Sequence, residues 1–283
     1  MKLSCAKSSV EPLANFVLIL SWLEKTQITH TRYYIMITNG WLIEKPIAHR
    51  GLHSINDGII ENSISAAKSA IKKGYSIECD VRITSDNDLI VFHDNNISRL
   101  TGVDGVVSEM KSDQLRKINL IGSIETIPNF SQFLDCIHGQ VPLICELKSD
   151  FNSNNRVAQI ALDIAENYAG PIAFKSFDPF LIEFMRTFNP KFPLGIVGES
   201  HFKSNYWDNI SSEYKFNMIN LNHYNNTRPD FISWKYTDLM HSTPFLWKKL
   251  SNLPLLSWTI DSIVNLKFSQ NHSHQVVFEN LIL

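Results

Sequence analysis

A chain of 283 residues exceeds an average domain but is typical of a single barrel of alternating strands and helices. Its 44% hydrophobic and 19% charged residues exclude a disordered or low-complexity chain. The formal net charge of −2 excludes an overall basic field that would attract nucleic acid or anionic lipid, so no nucleic-acid partner is expected.

The first segment, residues 1–40, is predicted to be an N-terminal extension of uncertain role, ahead of a barrel domain over residues 41–283. Residues 13–23, LANFVLILSWL, are apolar, but this run of about 11 residues is shorter than the ~20 that a membrane-spanning helix needs. It also lacks the small-x-small cleavage site of a signal peptide. We therefore expect an extra helix or an extension without stable membrane insertion. A targeting segment and a membrane anchor are the alternatives.

The cysteines bear on the cellular compartment. They form no CxxC pair and have no metal-finger spacing, so they are expected to be reduced thiols. With the absent signal peptide, this predicts a cytoplasmic location. The sequence does not determine the oligomeric state. The four cysteines are Cys5, Cys79, Cys136 and Cys145.

From Lys45 onward, short β-branched runs alternate with helical patterns, which indicates a largely parallel sheet. We predict an α/β fold, an irregular (β/α)8 TIM barrel with a small insertion after the third strand, at about residues 95–128. The first helix is expected over 62–73, because its apolar residues fall on one face and Gly74 can end it in the left-handed conformation.

Nine runs have strand character, one more than an eight-stranded barrel needs, and the sequence does not identify the extra one. Residues 81–88 are too few for a crossover helix, so they are expected to run back extended if the strands on either side are parallel. Helical stretches are expected near 203–212, 229–235 and 243–250. The strand candidates are residues 46–49, 75–80, 89–94, 142–147, 171–176, 193–197, 216–221, 253–258 and 275–280.

Polar residues cluster at the ends of four candidate strands, where parallel barrels carry their active sites. The ends read His49-Arg50-Gly51, Glu78-Cys79-Asp80, His93-Asp94 and Glu146-Leu147-Lys148. Because strand side chains alternate with a period of two, Glu78 and Asp80 should face inward while Cys79 faces the helices. Ionisable groups inside a barrel need a partner or a task.

The three acidic residues Glu78, Asp80 and Glu146 would repel one another without a cation between them. An all-oxygen set suits one hard divalent ion, Mg²⁺ or Ca²⁺, which also stabilises charge on a phosphoryl group. His49 and His93 titrate near neutrality and suit a general acid and a general base. Simpler interpretations exist for each motif alone: a structural ion pair, a turn, or charge neutralisation by Arg50 and Lys148. The coincidence of all four motifs favours catalysis.

In order and spacing, these motifs resemble the glycerophosphodiester phosphodiesterase family. The resemblance covers roughly residues 45–280. The matching motifs are AHRG (48–51), EN with Ser63, IECDV (77–81), TSDND (84–88), VFHD (91–94), RLTG (99–102), IP (127–128), ELK (146–148), SF (176–177) and SWTID (257–261).

The resemblance implies metal-dependent hydrolysis of glycerophosphodiesters to sn-glycerol 3-phosphate and an alcohol. It implies that His49 and His93 are the acid/base pair. It further implies that Arg50 and Lys148 contact the phosphate and that the 95–128 insertion shapes substrate access. The implied metal ligands are Glu78, Asp80 and Glu146.

Some positions depart from the family pattern or are interpreted structurally. Asp261 stands where Asn is common in the family, and the last strand reads VVFEN rather than I-T-D. Because Trp258 and this strand can line the pocket, the identity of the alcohol that leaves the phosphate is not determined. Glu61-Asn62 is interpreted as helix-start chemistry. The other histidines show no ligand spacing and are expected at surface or core positions; they are His30, His53, His138, His201, His223, His241, His272 and His274. Trp207, Trp234 and Trp247 are interpreted as packing residues.

Two other functions remain open. One is a phosphodiesterase of intact lipids, similar to sphingomyelinase D or phosphatidylinositol phospholipase C, which would need an apolar or basic surface at the barrel mouth. The polar segment NNISRLTGVDG (95–105) argues against it. The other is a non-catalytic phosphodiester-binding protein, which the presence of both histidines and all three carboxylates disfavours.

Overall fold

The structure is a computed structural model that describes residues 40–283, apart from the side chain of Asn205. The predicted extension over residues 1–40, with the apolar run 13–23 and Cys5, therefore lies outside the described residues except for Gly40. In the described part of the chain, no helix combines the length and the apolar character needed to cross a bilayer.

A closed barrel of eight parallel strands forms the centre of the molecule, with helices between the strands, as predicted. The sheet order is β1-β9-β8-β7-β6-β5-β4-β2-β3, and pairing of β1 with β2 closes the barrel. The strands are β1 (Ile47–Ala48), β2 (Ser76–Ile83), β3 (Leu89–Val91), β4 (Leu143–Leu147), β5 (Ile172–Ser176), β6 (Leu194–Gly198), β7 (Phe231–Lys235), β8 (Leu255–Ile260) and β9 (Gln275–Phe278).

The extra strand is β3, which pairs with β2 in the antiparallel direction and so stands outside the barrel. Val81 pairs with Val91 and Ile83 with Leu89, so the chain reverses in a hairpin. An extended return between parallel strands, the conditional expectation for residues 81–88, is therefore wrong. The hairpin forms because β2 continues to Ile83 and the Thr84 hydroxyl accepts a hydrogen bond from the Asp88 amide at 3.0 Å.

One strand of the second half was assigned wrongly. Residues 216–221 were expected to be a strand but fall largely in a helix, while β7 occupies most of the segment 229–235 that was expected to be helical. Ser211 caps that helix by accepting from the Tyr214 amide. The rings of Phe231 and Trp234 in β7 lie against glycines of β6, where a methyl group would approach them within 2.4 Å.

Helices cover the outside of the barrel. A large apolar core lies between them and the strands, and a smaller one lies inside the barrel. Gly74 ends the helix Ile64–Lys73 at φ 70°, as predicted, and Ser63 is its N-cap. The helices are α1 (Trp41–Glu44), α2 (Ile64–Lys73), α3 (Ser98–Thr101), α4 (Ser112–Leu115), α5 (Phe130–Ile137), α6 (Arg156–Ala165), α7 (Pro179–Thr187), α8 (Ser212–Ile219), α9 (Tyr224–Thr227), α10 (Ser242–Leu250) and α11 (Ile263–His272).

The segment after β3 has its own small core, which agrees with the expected insertion. Its helices α3 and α4 pack over the outer strand through Phe92, Ile97 and Leu115, which are almost completely buried. The side chains of Val103, Ile121 and Ile124 in this segment are exposed by 45%, 52% and 95%. The insertion is therefore less polar at its surface than its first residues suggested.

Candidate active site

The chain leaves β1 through a tight turn that brings His49 and Arg50 to the end of the barrel. The His49 amide donates to the Phe278 carbonyl at 2.8 Å, which continues the pairing of β1 with β9. Arg50 and Gly51 both have positive φ, 55° and 78°. A methyl group on Gly51 would lie 2.8 Å from Ala66, so this position needs glycine. The turn also aims the Arg50 amide at a Glu78 carboxylate oxygen, 3.2 Å away.

The three predicted metal ligands come together on adjacent strands. Glu78 and Asp80 lie two residues apart in β2, and Asp80 pairs in register with Glu146 in β4. Their carboxylate oxygens lie within 4.8 Å of one another, and all three residues are buried. Cys79 and Leu147 point the opposite way, into the core beneath the helices, as the alternation predicted.

Two lysines lie among these carboxylates. Lys148 Nζ is 2.9 Å from Asp80 and 2.5 Å from Glu146, while Lys175 Nζ is 2.9 Å from Glu78 and 3.4 Å from Glu146. Sequence reasoning missed Lys175, although a lysine within the apolar run PIAFKS was a usable signal. Burial alone would raise the pKa of the Asp80 carboxyl, but Lys148 and the neighbouring cations hold it well below its usual value.

The pKa of the Glu146 carboxyl is also lowered, because Lys148 and Lys175 outweigh the effect of burial. The ionised forms of Asp80 and Glu146 are thus favoured, and together with Glu78 these residues offer only oxygen donors. This donor set fits one hard divalent cation. The ammonium groups of the two lysines neutralise part of the negative charge that the carboxylates would present to such an ion.

His93 reaches the site from β3, the strand outside the barrel. Its Nδ1 lies 2.7 Å from Asp94, and Arg82 donates to its carbonyl at 2.7 Å. Burial, with Lys148 nearby, lowers the pKa of the His93 imidazole. The ring is therefore neutral at pH 7 and can accept a proton.

His49 is held by Glu279 from the end of the last strand. The His49 Nδ1 lies 2.6 Å from Glu279 Oε2, and His53 Nε2 lies 3.9 Å from the same oxygen. The hydrogen bond to His49, with His53 nearby, lowers the pKa of Glu279. The departure VVFEN thus places a carboxylate behind His49, a role that the sequence pattern did not reveal.

The interpretation of Glu61 and Asn62 as helix-start residues is wrong, since Ser63 caps the helix. Asn62 is buried at φ 57°; its amide donates to Asp80 at 2.9 Å, and its oxygen accepts from the Asp80 backbone at 3.2 Å. Glu61 accepts from Arg50 at 2.6 Å and from Arg99 of the insertion at 2.7 Å. These residues hold the site together rather than start a helix.

A cavity of about 80 Å³ lies where the predicted groups meet. Seven of the eight predicted site residues line it, and Glu78 lies beneath, bonded to Lys175 and Arg50. The cavity is lined by His49, Arg50, Asp80, His93, Glu146, Lys148, Lys175, Phe177, Trp258 and Thr259.

The cavity opens beside a cleft of about 630 Å³ with which it shares His93, Lys148, Phe177 and Trp258. Five aromatic side chains line this cleft, and Trp258 is fixed by its indole N–H, which donates to the Ser233 carbonyl at 3.0 Å. Trp207, interpreted from sequence as packing, also contributes. The aromatic side chains are Phe151, Phe177, Tyr206, Trp207 and Trp258.

Charged residues at the ends of β6 and β7 fix the aromatic wall of the cleft. The Trp207 indole donates to Glu199 at 2.5 Å, and Lys235 Nζ contacts the same carboxylate at 2.5 Å. Phe177 packs edge-to-face against both Trp207 and Trp258, with ring centroids 5.1 and 5.6 Å apart. The wall therefore has a defined shape before any ligand binds.

Comparison with known proteins gives consistent findings. A family model described as the glycerophosphoryl diester phosphodiesterase family matches residues 49–268. The Bacillus subtilis protein YhdW, whose name provisionally assigns it to the glycerophosphodiester phosphodiesterases, is 27% identical over 192 residues, or 62% of this chain and 75% of that protein. A glycerophosphodiester phosphodiesterase of Caldanaerobacter subterraneus is 36% identical over 74 residues, which is 26% of this chain and only 29% of that protein.

Solved structures show the same fold. An Oleispira antarctica phosphodiesterase in complex with the product sn-glycerol-3-phosphate has a TM-score of 0.68 at 19% identity, covering 84% of this chain and 93% of that one. A Thermotoga maritima glycerophosphodiester phosphodiesterase has a TM-score of 0.62 at 18% identity, covering 83% and 94%. Since the family model matches well over half of the sequence, this chain belongs to the glycerophosphoryl diester phosphodiesterase family and to its class of enzymes.

Proposed function

We propose that this protein hydrolyses glycerophosphodiesters to sn-glycerol 3-phosphate and an alcohol, with one divalent metal ion and a pair of histidines. The observation that carries the proposal is the convergence of two imidazoles, two carboxylates and three cationic side chains on one phosphate-sized cavity, with the third carboxylate, that of Glu78, directly beneath it. The Oleispira antarctica structure, which holds sn-glycerol-3-phosphate, supports this product for a protein of the same fold.

Glu78, Asp80 and Glu146 would hold the metal ion, Mg²⁺ or Ca²⁺. Such an ion, when bound, supplies positive charge for the phosphoryl oxygens as the reaction proceeds. Arg50 and Lys148 contact the phosphate and orient it in the cavity. Trp258 contributes the wall between the cavity and the cleft.

His93 is the general base, because its lowered pKa keeps it neutral at pH 7 and Asp94 fixes the orientation of its ring. It takes the proton from the attacking oxygen, which belongs either to water or to a neighbouring glycerol hydroxyl; the hydroxyl would form a cyclic phosphate, whose ring water must then open to give sn-glycerol 3-phosphate. His49, oriented by Glu279, returns a proton to the departing alkoxide. The phosphorus–oxygen bond to the alcohol breaks as the bond to the attacking oxygen forms.

The cleft favours a second candidate substrate class, phosphodiesters with a bulky apolar alcohol or acyl group. Its volume of about 630 Å³ exceeds what a small head group fills, and five aromatic side chains line it. Exposed Ile121 and Ile124 on the insertion are consistent with contact to lipid. A human relative named lysophospholipase D is 38% identical over 74 residues, which cover 23% of that protein.

One experiment separates these candidates. Purified protein is incubated with glycerophosphocholine, glycerophosphoethanolamine, a lysophospholipid and an intact diacyl lipid, each with Mg²⁺, Ca²⁺ or EDTA. The proposal expects release of sn-glycerol 3-phosphate from the first two substrates, and abolition of that release by EDTA. Turnover of the lipids alone would favour the second candidate. Binding of glycerophosphocholine without turnover under every condition would leave only the binding-protein function.

A further inference from the structure

Two histidines and an aspartate that are distant in sequence meet on the rim of the barrel, outside the cavity and the cleft. His201 follows β6, Asp238 ends a short 3₁₀ helix after β7, and His241 directly precedes α10. One ligand atom of each lies within 4.8 Å of the others. None of the three lines the phosphate cavity or the aromatic cleft. The two histidines have no ligand spacing along the sequence, but the fold brings them together with Asp238.

The separation between His201 and Asp238 is suited to a shared ion. His201 Nδ1 lies 3.3 Å from Asp238 Oδ1, a longer hydrogen bond than those of His49–Glu279 (2.6 Å) and His93–Asp94 (2.7 Å) in the active site. Two ligand atoms bound tetrahedrally to zinc, each about 2.0–2.1 Å from it, are about 3.3–3.4 Å apart. The His201 and His241 rings stand nearly perpendicular, at 81°, with centroids 4.7 Å apart.

The surrounding groups hold the carboxylate in place, and His201 Nδ1 already makes a 3.3 Å hydrogen bond to its Oδ1, which a bound ion would replace. Asp238 is buried; its Oδ2 accepts from the Ser200 amide at 2.6 Å, and its Oδ1 accepts from the Thr237 hydroxyl at 3.0 Å. Such outer hydrogen bonds fix the orientation of a ligating carboxylate. His201 and His241 are exposed, so their rings can turn toward an incoming ion and are accessible from solvent.

We infer that His201, Asp238 and His241 form a second metal site, which takes a divalent transition ion such as Zn²⁺. Two imidazoles and one carboxylate suit zinc, whereas Mg²⁺ and Ca²⁺ prefer the all-oxygen set of the catalytic cavity. Three protein ligands leave one position for water. None of its three ligands takes part in the proposed hydrolysis.

An ion here would join the loop after β6 to the loop after β7. The first loop also carries Tyr206 and Trp207, which line the cleft. The second loop directly follows Lys235. The Lys235 ammonium group contacts Glu199, and Glu199 accepts a hydrogen bond from the indole of Trp207. Occupancy would therefore restrain the aromatic wall without contacting the substrate.

The test uses Co²⁺ as a spectroscopic probe on the full-length protein, with Mg²⁺ in large excess to occupy the carboxylate site. We expect one equivalent of Co²⁺ to bind with the intense visible absorption of a four- or five-coordinate site, and Zn²⁺ to displace it. His201→Ala and His241→Ala should each weaken this binding at least 10-fold. The control His138→Asn replaces another exposed histidine by a residue that tolerates its left-handed backbone (φ 46°) and should bind Co²⁺ like the wild type.

Each outcome decides the matter. Absence of a Mg²⁺-resistant Co²⁺ equivalent, or equal binding by wild type and both histidine variants, would overturn the site. Circular dichroism establishes that each variant is folded. If one variant does not fold, Co²⁺ binding by the other still tests the site. Hydrolysis is not the readout, so a failure of the proposed catalytic function would leave this result unaffected.

Discussion

The two halves of the barrel contribute differently to the candidate site. The first half, from β1 to β4, supplies most of the charged groups, which sit on strands or directly after them, as Asp80 and Glu146 do; Lys175 in β5 and Glu279 after β9 are the additions from the second half. The second half supplies the aromatic wall, and much of it, such as Tyr206 and Trp207, comes from loops. Strand register thus positions the charged side chains, while the packing of the loops determines the shape of the neighbouring cleft. Variants of the two halves should therefore fail in different ways.

The largest effect is expected in the charged half. His49→Ala and His93→Ala should each lower kcat by about 10²–10⁴-fold, the usual contribution of a general acid or base. Both side chains line the cavity and are partly exposed, so the fold should be retained. Steady-state kinetics with glycerophosphocholine and thermal unfolding check the two statements. Near-normal turnover in either variant would refute the assigned role, and His138→Asn serves as the control.

The buried lysine among the carboxylates should matter for stability as well as activity. Lys175→Met removes a cation that is only 3% exposed and contacts Glu78 and Glu146, so two buried carboxylates lose a partner. Loss of one member of a buried pair costs about 3–5 kcal/mol of unfolding free energy. Mg²⁺ or Ca²⁺ should restore part of that loss, because the ion supplies replacement charge.

Urea denaturation with EDTA and with excess Mg²⁺ measures this difference. Lys68→Met, at an exposed position of α2, is the matched control and should change stability little in either condition. Equal destabilisation of Lys175→Met with and without the ion would argue that no cation binds beside Lys175.

The sequence predicted the site residues that strand alternation positions better than the features that depend on pairing and packing. Glu78, Asp80 and Glu146 were predictable because alternation along buried strands fixes which side chains face inward. Lys175 obeyed the same rule but was missed because its run read as an ordinary apolar strand. The β3 hairpin was not predicted, since strand direction depends on pairing that periodicity does not encode. The exchange of helix and strand near β7 has a similar cause: short apolar runs fit either structure until caps and neighbouring glycines are known.

A smaller effect is expected behind the histidine. Glu279→Gln keeps the size of the side chain but removes the charge that orients His49, 2.6 Å away. We expect kcat to fall about 10–100-fold with little change in KM, the scale typical of outer-shell partners. Glu279→Asp, which keeps the charge, should recover part of the loss. A change in KM alone would show that Glu279 contacts substrate rather than positions His49.

In the aromatic half, the expected change is in substrate preference. Tyr206 is 45% exposed in the cleft wall, and its hydroxyl donates to the Ser149 carbonyl at 3.2 Å. Tyr206→Ala should raise KM about 10-fold for a phosphodiester with a bulky alcohol, in line with a loss of about 1–1.5 kcal/mol of aromatic contact. Hydrolysis of a glycerophosphomethyl ester should hardly change. Phe188→Ala, exposed elsewhere on the molecule, is the control, and equal effects on both substrates would exclude a role for the cleft in alcohol binding.

The smallest expected effect concerns pH and His93, which lines both the cavity and the cleft. A general base is active when neutral, so activity is lost as the pH falls through its pKa; because burial and Lys148 lower that pKa below 6.5, the acidic limb of kcat/KM should lie below pH 6.5. The hydrogen bond to Asp94 acts in the opposite direction and raises the pKa. Asp94→Asn should therefore move the acidic limb to still lower pH, whatever it does to the plateau. A limb that moved to higher pH would assign the base role to another group, with His49 the first to test.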